Sequence, residues 1–200
     1  MKKILYAVTL LFLFSFVLSV TNPLTDEERK NAIAYFKETQ KALADEIKGL
    51  SETQLNWKPA DSVWSTAGCV EHTAISEKNI FDWFRGIVKA PATPERRSDL
   101  KLTDDQIKTM LTNRSFKAKT SEGFYPTGMS AADALKIFNE RREGLIKYMS
   151  DAKDDLRNHI AETPVGLLDA YQLLLFLSAH TKRHTLQIAE LKAHPDFPKQ

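Results

Sequence analysis

From Thr25 to Ala193 the apolar residues recur mainly at spacings of three and four, and this periodicity constrains the chain more than any other feature. An α-helix returns side chains to one face at that interval and a strand does not, so helices are predicted and no sheet is expected. The first helix opens at Thr25, whose hydroxyl can cap the first turn, with Asp26, Glu27 and Glu28 facing the positive end of the dipole. It runs to about Leu50, with an inner stripe of Ile33, Phe36, Leu43, Ile47 and Leu50 and Gln40 on the same face.

After the Trp57-Lys58-Pro59 turn, Ser65 caps a second helix whose apolar residues extend from Val70 to Val88 and which stops before Pro91. Residues 91–129 contain Pro91, Pro94, Gly123, Pro126 and Gly128 and read as a long crossover, with at most a short helix near Thr103 to Thr112. Ser130 caps a third helix, from Ala131 to about Arg157. Pro164-Val165-Gly166 marks a break, and the fourth helix runs from Leu167 to Ala193 before Pro195 and Pro198. The expected fold is an all-α four-helix bundle spanning residues 25–195. The long link frees helix three to run parallel to helix two, so an up-down-down-up order is as natural as simple alternation.

Residues 1–19 stand apart. Lys2 and Lys3 precede an apolar run from Ile4 to Val17, followed by Leu18 and Ser19, which is the three-part pattern of a secretory signal peptide cleaved after Ser19. An uncleaved membrane anchor is the alternative, because the run approaches the ~20 residues that span a bilayer. The expected location is periplasmic or secreted. The single cysteine, Cys69, allows no internal disulfide, so the fold must rest on its apolar core. Loss of Lys2 and Lys3 with the signal leaves 26 basic against 26 acidic residues. A near-neutral domain without a basic cluster has no footprint for nucleic acid, and no anionic membrane partner is expected after cleavage.

In His180-Thr181-Lys182-Arg183-His184 the two imidazoles are four residues apart and can face one ion. At about 100° per residue, Leu173, Leu177, His180, His184, Gln187 and Leu191 lie within about 40° of one line, so both histidines point inward. Two imidazoles among leucines need partners for their nitrogens, either a metal ion or each other. His72 shares a line with Ser65, Ser76, Asn79 and Trp83 on the seam of the second helix, which favours the metal. His159 and His194, at a break and past the last turn, are expected to face solvent.

No other group is a convincing acid or base. Glu71 is turned about 100° from His72, Glu77 is farther round, and Thr181 stands where a His-Glu-x-x-His metalloprotease needs glutamate. Arg142 shares the inner face of helix three with Phe138, Leu145 and Met149. It reads more readily as a structural ion pair with a carboxylate on another helix, or as a long side chain snorkelling to the bundle rim, than as a substrate clamp. Cys69, within about 60° of the His72 line, could approach the ion but reads more readily as an apolar filler, and Trp64 reads as packing at the start of helix two. Ser76, Asn79, Trp83 and Gln40 could line a pocket and receive no assigned role.

Val63-Trp64-Ser65 leading to Glu71-His72, with His180-x-x-x-His184 and Gln187-Ile188 far downstream and a Pro-containing tail, resembles the DinB-like superfamily over most of the chain after the signal. The resemblance implies an up-down-down-up bundle, often dimeric, that holds a metal ion with one histidine of the second helix and two of the fourth. Carried over, these are His72, His180 and His184. Some members of that family are metal-dependent thiol transferases using thiols such as bacillithiol or mycothiol, and many have no assigned activity.

Three imidazoles suit Zn, Ni, Cu or Fe and leave positions for water or a substrate. Such an ion can lower the pKa of bound water toward ~7 or hold a thiol as thiolate. The functional expectation is a metal-dependent hydrolase or thiol-transferase-like enzyme acting on a small molecule. The alternatives are a non-catalytic metal- or ligand-binding envelope protein and a structural bundle that has kept its histidines without a physiological metal. Export weighs against the thiol version, because such thiols are made and kept reduced inside the cell.

Overall fold

The predicted caps are the actual ones. In a computed structural model, which describes residues 23–117 and 119–199, the Thr25 hydroxyl accepts from Glu28 N–H and opens α1 (Asp26–Ile47). Ser65 accepts from Gly68 N–H at the start of α3 (Thr66–Lys89), and Ser130 from Asp133 N–H at the start of α5 (Ala131–Asp151). A short α2 (Glu52–Asn56) precedes α3, and the crossover carries a 3-10 turn at Pro94–Asp99 and α4 (Asp104–Thr112). The final helix is α6 (Ala170–Lys192), capped by Asp169. The expected signal peptide, residues 1–19, lies outside the described residues. Among those described, no helix is long and apolar enough to cross a membrane.

Side-chain pairs fix the order of the bundle formed by α1, α3, α5 and α6. Ala74, Glu77 and Phe84 of α3 meet Arg141, Arg142 and Tyr148 of α5 in turn, so these helices are parallel. Glu28, Glu38 and Glu46 of α1 meet Tyr171, Lys182 and Lys192 of α6, also in parallel. Arg29, Phe36 and Gln40 of α1 run against Met149, Arg142 and Asn139 of α5. The topology is therefore up-down-down-up, with α1 and α3 each packed on both α5 and α6.

The expectation of no sheet is wrong. Ile160–Thr163 (β1) and Gly166–Asp169 (β2) form an antiparallel hairpin, with Ile160 opposite Asp169 and Thr163 opposite Gly166. Pro164-Val165 is its turn and Gly166, at φ +109°, takes the left-handed conformation that glycine permits. As a result α5 ends at Asp151 instead of about Arg157, and α6 begins at Ala170 instead of Leu167. Leu156, Ile160 and Leu168 plug the end of the bundle from this connection.

Two apolar clusters fill the bundle. One gathers Phe36, Phe84, Leu145, Met149, Leu173, Leu174 and Leu177; the other gathers Leu43, Cys69, Val70, Phe138 and Ile188. The Arg142 guanidinium lies against Phe36 of the first and Phe138 of the second.

Candidate metal centre

Residues 72, 180 and 184 come together between α3 and α6. The Nε2 atoms of His72 and His180 are 3.2 Å apart, as are those of His180 and His184. One ligand atom from each ring lies within 4.8 Å of the other two, and among the described residues this is the one such group of three or more His, Cys, Asp or Glu. His72 and His184 are buried, whereas His180 keeps partial exposure.

Hydrogen bonds behind the rings decide which nitrogens are free. The carbonyl of Phe124 can only accept, so its 2.7 Å contact places the proton of His72 on Nδ1 and leaves the Nε2 lone pair facing the cluster. Gln187 Oε1 accepts in the same way from His184 Nδ1 at 3.1 Å. An N–H at His180 Nε2 could serve one neighbour, and the other contact would then oppose two lone pairs. A cation removes that conflict. Imidazoles about 2.0–2.1 Å from a tetrahedral ion hold their donor atoms about 3.3 Å apart, close to the spacing found here. His180 Nδ1 is enclosed and has no hydrogen-bond partner among the described residues.

Electrostatics favour the same state. Burial lowers the pKa of His72, and burial reinforced by the neighbouring imidazoles pushes His180 down to about 3 and His184 well below the ordinary histidine value. Neutral rings keep their lone pairs for a metal.

Aromatic rings surround the triad. Trp64 lies 4.6 Å from His72 and 6.0 Å from His184 between ring centroids, so its role exceeds packing at a helix start. Phe176 stacks on His180 at 6.4 Å, and Phe124 stands 6.4 Å from His72. Of the possible lining residues, Ser76 is buried with its hydroxyl 3.5 Å from His72 Nε2. Asn79 instead donates to the Gly123 carbonyl, Gln40 to Asn139 and Glu143, and Trp83 is 38% exposed.

The carboxylates next to the site are committed elsewhere. Burial pushes the Glu71 carboxyl up, but donors from Thr127, Gly128 and Met129 outweigh it and hold it below the usual range. Glu77 accepts from both Nε and Nη2 of Arg142, at 2.6 and 2.9 Å, so of the readings open to Arg142 the structure shows the ion pair and not a side chain reaching the rim. Thr39, Ser178 and Thr181 hydroxyls and the Phe36 carbonyl accept the rest of the guanidinium. Cys69 is a filler in the second cluster, its thiol pushed up to about 12 by burial.

Two histidine expectations need correction. His159 is half-buried with an enclosed Nδ1, and His194 is half-buried against Trp57, 5.2 Å between centroids. Sequence reasoning also missed Arg183, which donates to the carbonyls of Leu111, Asn113 and Phe116 and ties the crossover to α6. Only its position between two inward histidines hinted that it is buried.

Fold and site together define an up-down-down-up helical bundle with a three-imidazole cluster between its second and fourth helices. The chain belongs to the DinB superfamily, which residues 35–188 match. It is 25% identical over 164 residues, 80% of this chain and 96% of the relative, to the uncharacterized protein YuaE of Bacillus subtilis (strain 168). Its fold is similar to that of YfiT from Bacillus subtilis, described as a probable metal-dependent hydrolase with an unusual four-helix bundle topology. That match has a TM-score of 0.58 and 14% identity, and covers 84% of this chain and 88% of YfiT.

Proposed function

We propose that His72, His180 and His184 bind a divalent transition metal, Zn, Ni or Fe, and that the protein is an exported metal-dependent hydrolase acting on a small molecule. The observation that carries the reading is the pair of 3.2 Å Nε2 contacts, with the far nitrogens of His72 and His184 set against the acceptor oxygens of Phe124 and Gln187. The description of YfiT as a probable metal-dependent hydrolase supports the hydrolytic version. A thiol-transferase-like reaction on the same centre is the other enzymatic form.

When bound, the ion supplies Lewis acidity toward a substrate oxygen or a coordinated nucleophile. Three protein ligands leave coordination positions open, as in catalytic more than structural sites. The chain's own residues hold and shield that centre: Phe124 and Gln187 orient the ligand rings, and Trp64 and Phe176 limit water around them. Commitment of Glu71 and Glu77 to other partners favours a second reading, a non-catalytic metal-binding envelope protein, because among the described residues these two carboxylates nearest the ligands in sequence are not free to move a proton.

Metal analysis of untagged protein purified without chelator tests the binding. One equivalent of ion, lost in His72→Ala and His180→Ala, is expected; a metal-free protein that takes up no added zinc, nickel or iron overturns it. Turnover of small esters or amides by loaded wild type, absent in both variants, separates the hydrolase from the binding protein.

A further inference from the structure

Glu71 precedes a proposed ligand in sequence but points the other way, into the crossover segment that passes over α3. Its Oε1 accepts from the N–H and hydroxyl of Thr127, at 2.8 and 2.7 Å, and its Oε2 from the N–H groups of Gly128 and Met129, at 2.9 and 3.0 Å. Both oxygens of a buried carboxylate are thus spent on three consecutive residues of one loop.

Much of that loop is open to solvent. Gly123, Tyr125, Thr127 and Gly128 are exposed, and Gly123 and Gly128 both have positive φ. Phe124 and Met129 pack against the two apolar clusters and Tyr125 against Trp64, at 6.3 Å between centroids, while the exposed backbone between them is held by polar contacts with α3. Two of these bracket the functional one: Asn79 donates to the Gly123 carbonyl at 3.1 Å on one side, and Glu71 holds residues 127–129 on the other. Between them lies the Phe124 carbonyl, which accepts from His72 Nδ1.

We infer that Glu71 is a positioning residue for the metal centre: by clamping Thr127–Met129 it sets the Phe124 carbonyl that fixes the ring orientation and tautomer of His72. The inference rests on the metal reading for its functional weight, though its structural part stands without any ion. Outer partners of ligand histidines commonly set metal affinity by ten- to a hundred-fold. Glu71 acts one step further out, through the loop, from a face of the helix about 100° away.

The test uses the full metal-free chain with 15N-labelled histidine, together with zinc titration against a competing chelator. In Glu71→Gln the amide nitrogen opposes the backbone donors, and zinc affinity is expected to fall about ten-fold or more. The His72 nitrogen resonances should move from one tautomer to a mixture, and the amides of Thr127, Gly128 and Met129 should lose hydrogen-exchange protection. Thr127→Ala removes one of the four bonds and should produce the same pattern at a few-fold scale; it decides the matter if Glu71→Gln does not fold.

Zinc affinity and a His72 tautomer both unchanged in Glu71→Gln and Thr127→Ala overturn the inference. Wild type that binds no zinc overturns the metal reading alone, because the His72 resonances of the metal-free variants still decide whether Glu71 sets the ring.

Discussion

Arg142 and Glu77 form an ion pair with essentially no exposure on either side chain, 0% and 1%, in the middle of the bundle between Phe36 and Phe138 and the hydroxyls of Thr39, Ser178 and Thr181. Removing one partner leaves a buried charge uncompensated, which typically costs about 3–5 kcal/mol. Glu77→Ala and Arg142→Ala are each expected to lose that much in urea unfolding. The double replacement Glu77→Leu with Arg142→Met should recover a large part of it, because no charge then needs solvation. A double variant as unstable as the sum of the singles would contradict this account.

Arg157 anchors the opposite end of the structure. It pairs with Glu28, Asp104 and Asp169 and lies 4.1 Å over the Tyr171 ring, joining α1, α4, the hairpin and α6. Arg157→Lys keeps the charge but loses the planar fork and the stack, so a fall of about 2–3 kcal/mol is expected by thermal or chemical unfolding. A change within ~0.5 kcal/mol would place the cluster among the weak surface pairs.

The histidine cluster gives the metal-free protein a defined pH dependence. Burial lowers the folded-state pKa of His180 to about 3, against about 6.5 unfolded, and lowers His72 and His184 as well. Between those values the unfolded chain binds protons that the folded chain refuses. Stability is therefore full above pH 6.5 and falls as the pH drops through that value toward 3, with a slope of up to about 1.4 kcal/mol per pH unit for each histidine. Asp169, raised to about 6 by burial, works in the opposite sense below pH 6. Unfolding curves of wild type and His180→Gln between pH 7 and 5 isolate the histidine contribution: the variant should show the flatter profile.

Trp64 sits close enough to His72 and His184 to report on them, whereas Trp57 packs on His194 and Phe197 and Trp83 is exposed. Titration with cobalt or nickel is expected to quench tryptophan emission, and Trp64→Phe should abolish most of the change. Equal quenching in both proteins would place the ion elsewhere.

Much of the fold was legible because its signals are local. Thr25, Ser65 and Ser130 cap helices from within one turn, and the four-residue interval puts His180 and His184 on one side of α6 whatever surrounds them. The hairpin was not legible. Strands of four residues are too short to display a period of two, and Leu167 and Leu168 fit equally well as a first turn of the apolar helix that follows. The half-burial of His159 and His194 escaped for a related reason, since it depends on loops folding back onto the bundle.

The sequence by itself determined the four long helices, the caps of the first three at Thr25, Ser65 and Ser130, the inward direction of His180 and His184 and the presence of His72 on a seam, all of which follow from signals local to one segment. Only the tertiary structure decided that Arg142 belongs to Glu77 across the bundle, that Trp64 covers the histidines and that Phe124 and Glu71 connect the crossover to His72. Those relationships join residues many positions apart, and no helical period encodes which partner a side chain meets once separate elements pack.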